Sequence, residues 1–253
     1  MAMLETTMQR LTRFALRHFP SLVLCVLSFG GLCVAQETEI PSGPHDRGYI
    51  FAPTGYVEMI APLQDRVGLR LLGFYAGDLK APGEQLDVPI RITKSLTITP
   101  SYLHLQVPAS GLNTVVAQQP THFAHEYEEN QFRIDGTFKF FVHKFEISDR
   151  NMYVRRFRPT DELNRYRNRI TISHPLTVAN HTVKPFASYE AYYERKNGGW
   201  NRNRVWSGVT VPLNKYVAFQ PSYIYETTQQ LKDVHYLLAG LIFTTKSNHE
   251  SSR

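Results

Sequence analysis

The chain has 253 residues, a formal net charge of +6 and only two cysteines, Cys25 and Cys33. Both cysteines lie in an N-terminal apolar run that reads as a removable leader, which excludes thiol catalysis, cysteine-bound metals and disulfides from the rest of the chain. Losing that leader's three arginines and one glutamate lowers the charge from +6 to +4, too mild a surplus in an exported chain to point to nucleic acid.

Residues 1–35 are expected to be a signal peptide. Arg10, Arg13 and Arg17 precede the uncharged stretch 21–35, "SLVLCVLSFGGLCVA", whose last residues, Cys33-Val34-Ala35, place small side chains before a cleavage point. The stretch is shorter than the ~20 residues of a spanning helix, which disfavours a membrane anchor. Leu24 and Leu32, directly before the two cysteines, disfavour lipid attachment. The remainder divides into an N-terminal extension (36–55), a β-barrel domain (56–246) and a C-terminal tail (247–253). It has no run near the length of a membrane helix, so it is either soluble or crosses a membrane as a closed barrel.

Period-two alternation then recurs along the chain. In 86–92, Leu86, Val88, Ile90 and Ile92 share one face, and Asp87 and Arg91 the other. The next segment, 96–106, sets Leu96, Ile98 and Tyr102 against Thr97, Thr99 and Ser101. In 130–142, Phe132, Ile134, Phe138 and Phe140 oppose Arg133, Asp135, Thr137 and Lys139. After 145–157 comes "RYRNRITIS", 165–173, with Arg165, Arg167 and Arg169 on one face and Ile170 and Ile172 on the other. In 183–194, Tyr189 and Tyr193 oppose Glu190 and Glu194. Further strands are expected at 202–211, 217–226 and 234–245, the last apolar on both faces. Segments 76–84 and 107–120, rich in Pro, Gly and Gln, are expected to be long loops. Short polar turns join neighbours, and "VPIRITKSLTITPSYL" resembles "TVPLNKYVAFQPSYI", as repeated hairpins would. The fold expected is an all-β, antiparallel up-and-down barrel of ten to twelve strands.

Alternation alone does not say which face is wet. A soluble sandwich or lipocalin-like barrel points its apolar face inward, whereas a transmembrane barrel points it at lipid. Tyrosines near the strand ends (Tyr189, Tyr193, Tyr223, Tyr225), with Trp200 and Trp206, suit the aromatic girdles of a membrane barrel. Simple hairpin registers set Glu194 opposite Arg202 and Arg167 opposite Glu190, a charge ladder fit for a narrow lumen. Export without cysteines suits a Gram-negative envelope. Against this stand Pro89, Pro100, Pro185 and Pro221 inside strands, where each removes a ladder bond, and an end without a terminal aromatic residue.

The stretch 131–226 carries Arg150 and Arg155/Arg156 in one strand, Arg165-x-Arg-x-Arg in the next, Tyr189-Glu190 followed by Tyr193-Glu194, then Asn203-Arg204 and Gly208. In these it resembles an uncharacterised family of Gram-negative envelope proteins, domain of unknown function 2490. The resemblance implies an outer-membrane-like barrel. It carries over no catalytic residue, because none is known for the family.

The chemistry-bearing residues themselves are dispersed. Ser173 and His174 are adjacent in a strand and face opposite ways; His143, His235 with Asp233, and Ser207 form no nucleophile–base pattern. His122 and His125 beside Glu126, Glu128 and Glu129 have the wrong spacing for a strand-borne metal site. The expectation is therefore no catalytic residue, no metal and no cofactor, with a lumen charge ladder of Arg133, Asp135, Lys139, Arg165, Arg167, Arg169, Glu190, Glu194, Arg202 and Arg204. The functional expectation is an outer-membrane, porin-like or structural barrel. It is either in contact with the lipid bilayer and lipopolysaccharide phosphates, or a narrow passive channel. A soluble periplasmic β-protein with an apolar ligand is the alternative, and an outer-membrane lipid hydrolase the third reading. "FEISDRNMYVRRF" leaves open whether Arg155 or Arg156 faces inward.

Overall fold

The computed structural model describes residues 49–76, 81–108, 126–159, 162–178, 181–195, 199–228 and 233–245. The leader, the tail, His122 and His125 lie outside these residues. Every element among them is a strand: β1 (Tyr49–Pro62), β2 (Gly68–Ala76), β3 (Ala81–Asp87), β4 (Ile90–Arg91), β5 (Leu96–Val107), β6 (Tyr127–Val142), β7 (Phe145–Phe157), β8 (Glu162–Ser173), β9 (Leu176–Val178), β10 (His181–Glu194), β11 (Gly199–Pro212), β12 (Val217–Thr228) and β13 (Asp233–Thr244). No helix of the described residues is long and apolar enough to cross a membrane.

Eleven of these strands close into a ring in the order β1-β2-β3-β5-β6-β7-β8-β10-β11-β12-β13, while β4 and β9 are short additions against β5 and β10. Neighbours in the ring are antiparallel except at the closing seam. There β1 and β13 run parallel from Tyr49↔Asp233 to Ile60↔Thr244. The seam follows from the count, since an odd number of alternating strands can close only with one parallel pair.

Two expected boundaries are corrected. The first strand starts at Tyr49, inside the span 36–55 expected as an extension. Part of the loop expected at 76–84 is β3, whose Pro82 and Gly83 read as breakers in the sequence. Gly83 is instead a site of close approach: the inward ring of Phe74 lies where a Cβ would sit, as the Tyr56 ring does over Gly240. The prolines are accommodated in different ways. Pro89 falls between β3 and β4, and the β11–β12 ladder lapses where Pro221 has no N–H to give. Pro100 and Pro185 stay in their strands and accept bonds from Val88 N (3.0 Å) and His174 N (3.2 Å).

The connections define two rims. One carries the two-residue turn His143-Lys144, and the opposite rim carries the longest connection, 108–126. His143 takes φ 56°, a left-handed conformation that His adopts more readily than most residues, so its place in the molecule is a hairpin turn.

Between the rims the pleat sends alternate side chains inward and outward. Phe132, Ile134, Phe138 and Phe140 of β6 and Ile170 and Ile172 of β8 are exposed on the outer wall. An eleven-strand interior is wider than the eight-strand case that ordinary side chains just fill, and here it is filled by two kinds of packing. Apolar clusters line the wall of β2, β3 and β5 (Ala81, Leu103, Leu105 and Val107 with Phe74) and that of β12, β13 and β1 (Ile224, Val234, Tyr236 and Ala52). The wall from β6 to β12 is lined with arginine and glutamate.

Candidate functional site: an ionised lumen

On β6 the odd-numbered residues face inward, so Glu129, Gln131, Arg133 and Asp135 follow one another along the lumen. On β7 the even residues do, with Arg150, Met152, Val154 and Arg156. This settles the ambiguous strand: Arg156 enters the lumen and binds Glu129 through Nε (2.6 Å) and Nη2 (2.8 Å), whereas Arg155 lies outside against Glu162 (2.8 Å). Arg158 adds a third bond to Glu129, from Nε at 2.7 Å. A buried carboxylate held by two guanidiniums has its lone pairs used, which is the condition for keeping such a charge out of water.

The second half of the ladder is centred on Tyr192. Its ring is 1% exposed, and the guanidinium carbons of Arg165, Arg167, Arg202 and Arg204 lie 4.7–5.6 Å from its centroid. The Tyr192 hydroxyl donates to Glu190 (2.8 Å), which also accepts Arg167 Nε (3.1 Å) and Nη2 (2.8 Å). Arg165 binds Glu194, Arg204 binds Glu226, and Arg202 lies 3.5 Å from Glu226. Cations stacked around an aromatic ring and carboxylates between them form a linked network across β8, β10, β11 and β12. A smaller group on the β2–β3 wall joins Arg70 to Asp87 and, at 3.6 Å, to Glu58.

The ten residues expected as a ladder all lie on the inner face, though in several environments. Arg133 donates to the Gln131 and Gln85 side-chain oxygens rather than to a carboxylate, Asp135 accepts from Thr137 (3.0 Å), and Lys139 sits at the turn rim, 3.5 Å from Glu146. The expected partners are shifted by one rung. Arg167 stands opposite Tyr192 and Glu190 opposite Arg169 and Arg204, and Glu194 pairs with Gly199 across a bulge that leaves Asn201 as the extra residue. Arg167 reaches Glu190 diagonally. Trp206, expected near an outer girdle, faces inward with its ring 5.1 Å from Arg169. Tyr192 and Glu226 lie outside the expected ladder, and Glu129, considered there only beside His122 and His125, belongs to it; their parity with Glu190, Ser222 and Arg133 carries the signal.

The family model "Protein of unknown function (DUF2490)" matches residues 85–236, more than half of the chain and all of the ionised wall. The chain belongs to this family. No curated protein matches the sequence significantly. Among solved structures it is similar to LpxR from Salmonella typhimurium (10% identity, 70% of this chain and 83% of that one, TM-score 0.45). It is also similar to the beta domain of the Bordetella autotransporter BrkA (14%, 67% and 78%, 0.39) and to a loop-deletion form of OmpT, an outer membrane protein of Vibrio cholerae (13%, 65% and 56%, 0.34).

The family match leaves the role of the outer wall to its own residues. Toward the loop rim it carries tyrosines bonded to a neighbouring strand: Tyr102 to Asn130 (2.5 Å), Tyr153 to Asn164 (2.8 Å), Tyr189 to Asn203 (2.7 Å) and Tyr223 to His235 Nδ1 (2.6 Å). Trp200 meets Tyr193 edge to face at 5.4 Å. On β7 and β8 a self-bonded group, Asp149, Asn151, Tyr166 and Asn168, interrupts the apolar surface. The hydrolase candidates are not brought together. Ser173 is buried inside, His174 packs on Phe145 at 4.8 Å with its Nδ1 unbonded, and Ser207 and His235 are on the outer face. Asp233 accepts from Tyr225 (2.7 Å). Among the described residues no group of three or more His, Cys, Asp and Glu could hold a metal.

Proposed function

We propose that the chain is an integral outer-membrane barrel, exported with loss of 1–35, whose lumen is closed by its own side chains. It serves as a structural, lipid-contacting wall protein rather than a passive channel. The observation that carries this reading is the sorting of side chains across one wall. Along β8, Arg165, Arg167 and Arg169 go to the interior and Ile170 and Ile172 to the exterior, the arrangement stable with hydrocarbon outside. A soluble barrel with this facing would present phenylalanine and isoleucine to water and hide its charges. The tyrosine belt supports the same reading, because a ring with a bonded hydroxyl suits the headgroup level. The tight turn at 143–144 suits the periplasmic rim and the connection 108–126 the outer one. Asp149, Asn151, Tyr166 and Asn168 bond to one another rather than standing singly on the apolar wall, which lowers their cost beside hydrocarbon.

Closure rests on Tyr192 and the carboxylates around it, of which Glu190 is 2% and Glu226 3% exposed. The test is fractionation of cells making the full chain, electrophoresis of boiled and unboiled samples, and planar-bilayer recording. Expected are recovery in the outer membrane, a mobility shift on heating and no steady conductance. Recovery in the periplasm without a shift would overturn the membrane reading. Steady ohmic conductance would overturn closure while leaving the membrane reading in place.

A further inference from the structure

Arg150 and Arg169 stand directly opposite each other on β7 and β8. Unlike the other inner arginines of that strand pair, neither has a carboxylate within 4 Å among the described residues. The Arg150 Nη2 contact is to the Met152 sulfur (3.6 Å), and Arg169 lies over the Trp206 ring. The nearby acids are engaged elsewhere: Glu190, opposite Arg169, is taken by Arg167 and Tyr192, and Asp135 accepts from Thr137. Two like charges facing each other on adjacent strands repel, and the low-dielectric interior strengthens the repulsion. The next rung toward the turn rim holds Ser148, Thr171, Ser188 and Trp206 in register. Thr171 and Ser188 share a hydrogen bond of 2.8 Å, and the Trp206 indole N–H is buried without a partner. Two guanidiniums, three hydroxyls and an orphan indole N–H thus share two adjacent rungs, where the guanidiniums have no directly bonded carboxylate and feel Glu190 and Asp135 only at longer range.

We propose that this double rung is a binding site for a phosphate-type oxyanion, on the turn-rim side of the Tyr192 layer. Two guanidinium forks match a tetrahedral oxyanion in bidentate fashion. The hydroxyls and the indole would bond its remaining oxygens, and its charge would remove the Arg150–Arg169 repulsion. The phosphate comes either from a small solute entering at the turn rim or from a lipid headgroup.

The experiment is thermal unfolding of the full-length barrel in phosphate-free nonionic detergent, followed by tryptophan fluorescence. One arm titrates inorganic phosphate and the other phosphatidic acid in mixed micelles. The wild type should show a saturable upward shift of its unfolding temperature. The shift should be retained in Arg155→Gln, whose arginine is outside. It should be lost, with affinity about tenfold or more weaker, in the double variant Arg150→Gln/Arg169→Gln. A shift with inorganic phosphate assigns a free solute, and a shift with phosphatidic acid alone assigns a lipid source. No shift in either arm, or an equal shift in the double variant, overturns the site. Phosphorus NMR of the wild type decides the matter if the double variant does not fold, since absent line broadening of phosphate would also overturn it.

Discussion

The two halves of the barrel interior are filled by different chemistry. From β6 to β12 the lumen is packed with ionised side chains whose partners are other side chains, whereas across β13, β1, β2, β3 and β5 it is largely packed with aliphatic and aromatic groups. The apolar half is stabilised contact by contact, and truncating one residue loses only that residue's burial. The ionic half behaves as a unit, because deleting one member leaves its partners charged, buried and short of a counter-charge. A barrel built wholly in the ionic manner would depend on complete pairing everywhere. One built wholly in the apolar manner would have little to distinguish its inner from its outer face.

That contrast makes graded predictions, each measured by urea unfolding of the barrel in lipid vesicles. Glu190→Gln should have the largest effect, about 3–5 kcal/mol, because Arg167 loses its carboxylate in a closed layer. Leu105→Ala in the apolar half should lose about 2–4 kcal/mol through a cavity. It should be additive with Glu190→Gln, and strong coupling between them would show that the two halves are not independent. Tyr192→Phe keeps the ring under the four arginines but removes the bond to Glu190, so about 1.5 kcal/mol is expected. Arg150→Gln should go the other way, stabilising the phosphate-free protein by under about 1 kcal/mol. A loss as large as that of Glu190→Gln would mean that Arg150 belongs to the paired ladder.

The same contrast explains what was legible in the sequence. Strands of the ionic half have one polar and one apolar face, so alternation exposes them, and β7 matches its expected bounds of 145–157. In the apolar half, β2 and β13 are greasy on both faces, whereas β5 still alternates and was legible. In "GLRLLGFYA" Leu71 and Leu72 point opposite ways and both suit their surroundings, so period two vanishes and β2 goes unread. Register was less legible than facing. Sliding a hairpin by two residues keeps every side chain on its face and moves its partner one rung, which is what separates Arg167 from its expected seat opposite Glu190. Asn201 inserts a residue that no hairpin count anticipates. The unpaired Arg150 and Arg169 resemble their paired neighbours in sequence, and only the packing of Glu190 against Arg167 distinguishes them.

The closing seam has a kinetic consequence. Every other junction of the ring joins strands that follow one another along the chain, apart from the short insertions β4 and β9, so each can form by local zippering. β1 and β13 meet only after all the strands between them are in place. Their pairing carries the highest contact order in the molecule and is held by slanted, parallel bonds. Assembly should therefore end there and unzipping begin there. In hydrogen exchange, the amides of β1 and β13 that face each other should lose protection before those between β6 and β7, marking the seam as the edge through which the ring opens.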